Sequence, residues 1–247
     1  FDIETSHDLG ESSMEEVIKQ ADELGHEYLA FTEHNPSKSR HSPQQIIDIL
    51  KRKREKVDQL NYSIKKYTQM SKTPLRQGYE GLRKVFNSLE IDMLPQGGIP
   101  VPDKGLETLD FALISIHSSF DLPREEMTQR VINSFIHPKV KIFAHPTGRK
   151  LNYREGVELD WPTIFEFCLK NNKWLEINAD PGRLDLPDVL VHEAVKLGVI
   201  LTLGTDAHHV DGMNNMLFGV SVARRGWAER KDIVNTRSLE EFEKMIK

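Results

Sequence analysis

Six short apolar runs in this chain each break off into ionisable residues, and that recurrence restricts the fold more than any other feature. The runs are Glu27–Thr32, Phe86–Met93, Phe111–Ile116, Val140–Ala144, Trp174–Ile177 and Val199–Leu203. Their length and aliphatic content are those of strands buried on both faces. Between them lie amphipathic stretches with helical spacing: Ser13–Leu24, Pro43 to about Ser71, Arg124–Phe135, Trp161–Lys170 and Pro187–Leu197, with Ser238–Ile246 at the end. Ser13 is followed three residues later by Glu16, the spacing of a helix-starting capping box. Strands alternating with helices over short links predict a parallel sheet assembled from βα units. Six or seven such units predict an α/β barrel, closed or nearly so. The 247 residues and 38% hydrophobic content suffice for one core, so residues 1–247 are expected to form a single domain.

In barrels of this kind chemistry gathers where the strands end on their C-terminal side. The endings here are Thr32-Glu33-His34, Glu90-Ile91-Asp92, His117, His145-Pro146, Asn178-Ala179-Asp180 and Asp206-Ala207-His208-His209. One histidine at a strand end is more often a packed or surface residue than a ligand. Consecutive strand ends that all carry imidazole or carboxylate are poorly explained by chance. Neutral imidazoles mixed with carboxylates at one mouth suit first-row metals such as zinc, manganese or iron. His26, His41, His137 and His192 lack this placement and are expected to be structural or on the surface.

Other chemistries find little support. There is no nucleophile elbow, no phosphate-binding loop and no dinucleotide fingerprint. The single cysteine, Cys168, sits in an apolar helical stretch and is expected in the core, which excludes a disulfide framework and fits a reducing, cytoplasmic setting. No apolar run reaches the roughly 18–20 residues of a membrane span. A net charge of −5 gives no global basic field for nucleic acid, so any such contact must be local. The basic helical segment 36–73 is expected to be a solvated helix face, with a DNA-contacting surface as its alternative. The chain opens on Phe1 rather than methionine, so it is expected to be a fragment of a longer protein.

The segments Thr32-Glu33-His34, Glu90-Ile91-Asp92, Ser115-Ile-His117-Ser, Ala144-His145-Pro-Thr-Gly-Arg149, Glu176-Ile-Asn178-Ala and Gly204-Thr-Asp206-Ala-His208 occur in this order. Together they resemble the successive motifs of the PHP (polymerase and histidinol phosphatase) family. Arg183-Leu-Asp185-Leu, Ala223-Arg224-Arg225-Gly-Trp227 and Asp232-Ile-Val-Asn-Thr236 are similar to the PHP domain at the C-terminus of bacterial and archaeal family X DNA polymerases. The resemblance implies a distorted seven-stranded (βα) barrel, TIM-barrel-like, with up to three divalent metals (Zn, Mn or Fe). It implies Glu90 as a carboxylate bridging two metals, His117 and His145 as ligands of one of these, His34 and His208 as ligands of the third, and Asp206 as a ligand of the first. Glu90 and Asp206 are thereby the expected catalytic residues, and Arg149, Arg183 and Arg225 the expected contacts to phosphate. Glu33 and Asp92 are expected to hold the outer nitrogens of the ligating histidines.

The pattern departs from the family at its start, where the His-x-His pair that ends the first strand does not occur in Phe1–Gly10. Either the pair lies upstream and His7 is a ligand of the third metal, or Asp2 and Glu4 replace it. The first is preferred, because Glu4–Gly10 reads as a polar loop entering a capped helix. The expected activity is metal-dependent hydrolysis at DNA 3′ ends: a 3′–5′ exonuclease, with 3′-phosphatase or abasic-site cleavage beside it. A polymerase module in the parent chain is the expected partner. A histidinol-phosphate-type phosphatase acting on small molecules and a catalytically degenerate scaffold are the alternatives.

Overall fold

The computed structural model describes residues 1–5, 8–70 and 81–247; for 67–70 it describes the backbone. Among these residues, seven short strands and the helices around them follow in this order: α1 (Met14–Glu23), β1 (Tyr28–Phe31), α2 (Pro43–Met70), β2 (Lys84–Asn87), β3 (Glu90–Asp92), α3 (Asp103–Leu106), β4 (Ala112–Ser115), α4 (Arg124–Phe135), β5 (Val140–Phe143), α5 (Trp161–Asn171), β6 (Trp174–Asn178), α6 (Asp188–Leu197), β7 (Leu201–Gly204), α7 (Met216–Arg225) and α8 (Leu239–Met245). Both sides of the predicted capping box at Ser13 and Glu16 are made. Among the described residues, no helix is long and apolar enough to cross a membrane.

Every strand pair is parallel, and the strands form a two-stranded sheet, β1-β2, and a five-stranded sheet, β3-β4-β5-β6-β7. The sequence predicts one strand over Phe86–Met93; the chain instead breaks at Ser88-Leu89 into β2 and β3. A parallel bridge between His34 and Glu90 carries the pairing across that break. The fold is thus mixed α/β with parallel sheets. Among the described residues no ladder joins β7 to β1, so these strands form two parallel sheets rather than a closed barrel. A cavity of about 750 Å³ lies there instead, bordered by Leu29 and Phe31 of β1 and Leu203 of β7.

Successive strand residues point to opposite faces, and both faces are buried. Ala112 and Ile114 join the layer between sheet and helices, with Leu89, Phe143, Leu175 and Ile177. Leu113 and Ile142 face the concave side, with Phe86, Phe111 and Trp174. There α8 seals the end at which the strands begin: the Phe242 ring lies 4.8 Å from that of Tyr28, 5.0 Å from Phe86 and 5.8 Å from Phe111. The opposite end is left to the ionisable residues.

The long helix α2 is more than a solvated face. Ile46, Ile49, Leu50 and Val57 are buried, and so is Lys53, with none of its side chain exposed. Its ammonium pairs with the Glu33 carboxylate and donates to the carbonyls of Ser88 and Phe31, where β2 breaks from β3. Burial pulls the Lys53 pKa down, and the Glu33 charge opposes that pull. The lysine serves as a staple between helix and sheet. Lys53→Met removes the buried cation of Glu33 and should lower the stability read from urea unfolding by about 3 kcal/mol. Adding Glu33→Leu to it should restore most of the loss.

Candidate metal centre

The register of β3, β4 and β5 gathers the strand ends. Asp92 lies opposite Ser115 and Ile114 opposite Phe143, so the residues two past β4 and β5, His117 and His145, emerge at one edge beside Glu90. On the other flank, Asn35 N–H donates to Glu90 O and Glu90 N–H to Glu33 O, each at 3.0 Å, which holds His34 against β3. His145 and Asp206 adopt left-handed φ values of 29° and 52°. Such conformations cost energy in non-glycine residues and recur where side chains must be aimed.

Glu90 is the hub. Its Oε1 is 2.9 Å from His145 Nε2 and 3.5 Å from His117 Nε2, and the two imidazole nitrogens are 3.3 Å apart. Four-coordinate metal sites with bonds of roughly 2.0–2.1 Å have ligand–ligand edges of about 3.3 Å. Two neutral imidazoles cannot share such a contact lone pair to lone pair; a proton or a cation must stand between them. The donor set fits a divalent metal on both counts. Burial opposes the Glu90 charge, but His145, His34 and His117 hold this carboxyl well below the usual range. His145 is buried too, and Glu90 outweighs that burial to raise its pKa to about 9. For His117 burial prevails and the pKa falls.

Asp92 is the outer partner. Its Oδ1 lies 2.8 Å from His117 Nδ1, which turns Nε2 toward Glu90, and 3.4 Å from His34 Nδ1. Glu33, the other expected partner, pairs with Lys53 instead. Among the described residues His145 Nδ1 has no hydrogen-bond partner. Donor atoms of His34, Asp92 and His117 come together in a second group, and those of Asp8, His34 and His208 in a third.

The third group contains the expected pair His34 and His208. Asp8 was not singled out from the sequence, since nothing in its exposed loop marks it. The expected ligand His7 lies outside the described residues. Asp206 belongs to none of the three groups: its Oδ2 is 3.2 Å from both Arg183 Nε and Asn178 Nδ2. Arg183 is therefore the expected arginine that the fold brings to the site, and its buried Nη1 has no hydrogen-bond partner among the described residues. Arg149 donates instead to the carbonyls of Arg183 and Leu184, and Arg225 pairs with Asp188 at 2.7 Å. The Glu4 carboxylate is taken by His41 and Arg52, each at 2.9 Å, and neither Asp2 nor Glu4 enters a donor group.

Glu176 stands in one of the family-like motifs, but sequence reasoning gave it no role. It is buried, and its Oε2 accepts from the His145 N–H at 2.7 Å. The close approach of Gly204 leaves room for it: a Cβ there would overlap the carboxylate. Burial is the main cause that raises the Glu176 pKa from 4.5 to about 7; His145 opposes the rise and Asp206 adds to it. Below pH 4.5 the group is protonated in folded and unfolded chains alike. Between 4.5 and 7 the unfolded chain ionises first, so stability should fall as pH rises and level off above about 7. In chelator, the melting temperature of Glu176→Gln should therefore climb relative to the unaltered protein across this interval; a constant difference would refute the assignment. Asp92→Asn should weaken binding of Mn²⁺ or Zn²⁺ about 10–100-fold by calorimetry, through loss of the His117 tautomer.

No protein-family model matches the chain. Over 238 residues, 96% of its length, it is 32% identical to the DNA polymerase/3′-5′ exonuclease PolX of Bacillus subtilis, and it spans 39% of that protein. It is 24% identical over 214 residues to a probable phosphatase of Acetivibrio thermocellus, covering 80% of this chain and 73% of that one. A probable phosphatase of Clostridium acetobutylicum is 26% identical over 202 residues, with 78% and 71% covered. Likeness along nearly the whole chain, joined to motif residues that meet at one edge of a parallel sheet, makes the protein a member of the PHP family.

Proposed function

We propose that this domain hydrolyses phosphoesters at the 3′ ends of DNA, as a 3′–5′ exonuclease with 3′-phosphatase or abasic-site cleavage at the same centre. The observation that carries the proposal is the meeting of Glu90, His117 and His145 within 3.5 Å of one another. The phosphoesterase class is supported by the phosphatase and exonuclease relatives, and DNA ends by the PolX relative alone.

Glu90 and the histidines at positions 34, 117, 145 and 208 would hold up to three divalent ions (Zn, Mn or Fe), with Asp8 beside His34 and His208. Such ions, when bound, lower the pKa of water toward neutrality and offset charge on phosphoryl oxygens. Asp92 keeps His117 in the tautomer that presents Nε2. Asn178 and Arg183 orient the Asp206 carboxylate, and Arg183 keeps Nη1 available to donate to a phosphoryl oxygen. The left-handed backbone at Asp206 and His145 aims these side chains at the same edge.

The same proposal has the chain as one domain of a longer, cytoplasmic repair polymerase. The distorted seven-stranded (βα) barrel belongs to the same proposal. A phosphatase acting on small molecules is the competing reading, favoured by the names of relatives that the chain covers more fully.

Glu90→Gln should reduce Mn²⁺-dependent release from 3′-labelled DNA to background while the far-UV dichroism stays unchanged. Turnover of small phosphate monoesters with DNA ends untouched would favour the phosphatase. Failure of the unaltered protein to hydrolyse either substrate with Mn²⁺, Zn²⁺ or Fe²⁺ would overturn the proposal.

A further inference from the structure

The loop after β5 carries a second feature. Residues 149–154, Arg-Lys-Leu-Asn-Tyr-Arg, hold three cations and no acid, in a chain of net charge −5. They form a tight turn that is tied down on all sides. Lys150 N–H donates to Arg154 O at 2.9 Å, and Arg154 N–H returns to Lys150 O at 2.8 Å. Asn152 takes the left-handed conformation that the reversal requires, with φ 60°. Leu151 N–H donates to Gly182 O at 2.7 Å, and Arg149 clasps the carbonyls of Arg183 and Leu184. The turn is thereby fixed to the segment whose Arg183 touches Asp206. On its other side the Arg154 guanidinium lies 3.8 Å above the Phe120 ring and donates to Gly148 O.

At the tip of this braced turn, Tyr153 is 83% exposed. A turn held by so many bonds does not require an exposed aromatic ring, and burial explains nothing about one that faces solvent. The ring stands eight residues past His145, within a cationic stretch, on the loop that packs against the Arg183 segment. An aromatic face set among cations is the arrangement that receives nucleobases while holding the backbone by charge. Tyrosine, with two side-chain torsions on a rigid turn, gives up little freedom on binding. Trp227 is also exposed, at 74%, but its ring packs against His192 on the outer side of α6, and no bond ties it to the Asp206 segment.

We propose that Tyr153 is a stacking platform for a nucleobase of a single-stranded nucleic-acid end, with Lys150 as its neighbouring cation, so that the substrate of the centre is a strand terminus rather than a small phosphate ester. This rests on the phosphoesterase reading above and adds the recognition of a base to it.

The test is equilibrium binding of a fluorophore-labelled single-stranded oligonucleotide, followed by anisotropy in chelator so that no turnover occurs. Tyr153→Ala should weaken binding ~10-fold, and Tyr153→Trp should restore it. An oligonucleotide whose terminal residues are abasic should bind the unaltered protein and Tyr153→Ala equally. The stabilisation conferred by Mn²⁺ in thermal melting should be the same in all three proteins. Unchanged oligonucleotide binding by Tyr153→Ala would overturn the proposal and leave the turn to a protein partner. So would an equal loss on the abasic oligonucleotide, or a loss of Mn²⁺ stabilisation, either of which marks a structural role. Since binding is read without turnover, an inactive protein would sink the phosphoesterase reading while this measurement still decides the platform.

Discussion

Two imidazole nitrogens and one carboxylate oxygen are held within contact distance although their residues lie 55 positions apart in the chain at the extreme, and the rest of the molecule is arranged around that meeting. It depends on β3, β4 and β5 being parallel neighbours in a fixed register. A slip of one residue in either ladder would turn the strand's side chains to the other face and aim His117 or His145 away from Glu90. The apolar layers on both sides of the sheet oppose such a slip, because a slip would also move Leu113 and Ile142 out of one core and Ile114 and Phe143 out of the other.

The two ends of the sheet divide the labour. Where the strands begin, aromatic rings close around Phe242, with the Lys84–Glu243 pair at their edge. Where they end, carboxylates and imidazoles neutralise one another, and burial and neighbouring charge together set which of them keeps a proton: charge prevails at His145 and Glu90, burial at His117 and Glu176. The break at Ser88-Leu89 lets Glu90 reach the cluster while β2 stays with β1. Lys53 rises from α2 to meet the carbonyls at that break, so a helix far along the chain from the motifs helps to shape the site.

Much of this was legible in the sequence because the change from apolar to ionisable residues falls at the strand ends. His34, Glu90, His117 and His145 could be named from it, and five of the six predicted strands appear where expected. The polar pair Asn87-Ser88 is the sequence signal for the break in the sixth, and it was passed over because the apolar pattern resumes at Leu89. Helix α7 was also missed: Gly219 lowers helix propensity, yet its missing side chain admits Ala179 and Leu203 at close range. Lys53 looked like one more cation on a charged helix, because its burial is a property of what lies above it. Arg149 and Arg225 belong to family-like motifs, but their guanidinium groups are spent on backbone carbonyls and on Asp188, and a motif does not show which way an arginine turns.

The pairing of Gly204 with Glu176 has a consequence for how such a chain can change over time. The carboxylate occupies the volume that any side chain at 204 would fill, so neither position is independent of the other. A larger residue at 204 would push the Glu176 carboxylate aside, and that shift would disturb its hold on the N–H of His145. A change at either position is therefore felt at the other, and through it at the backbone of a ligating histidine.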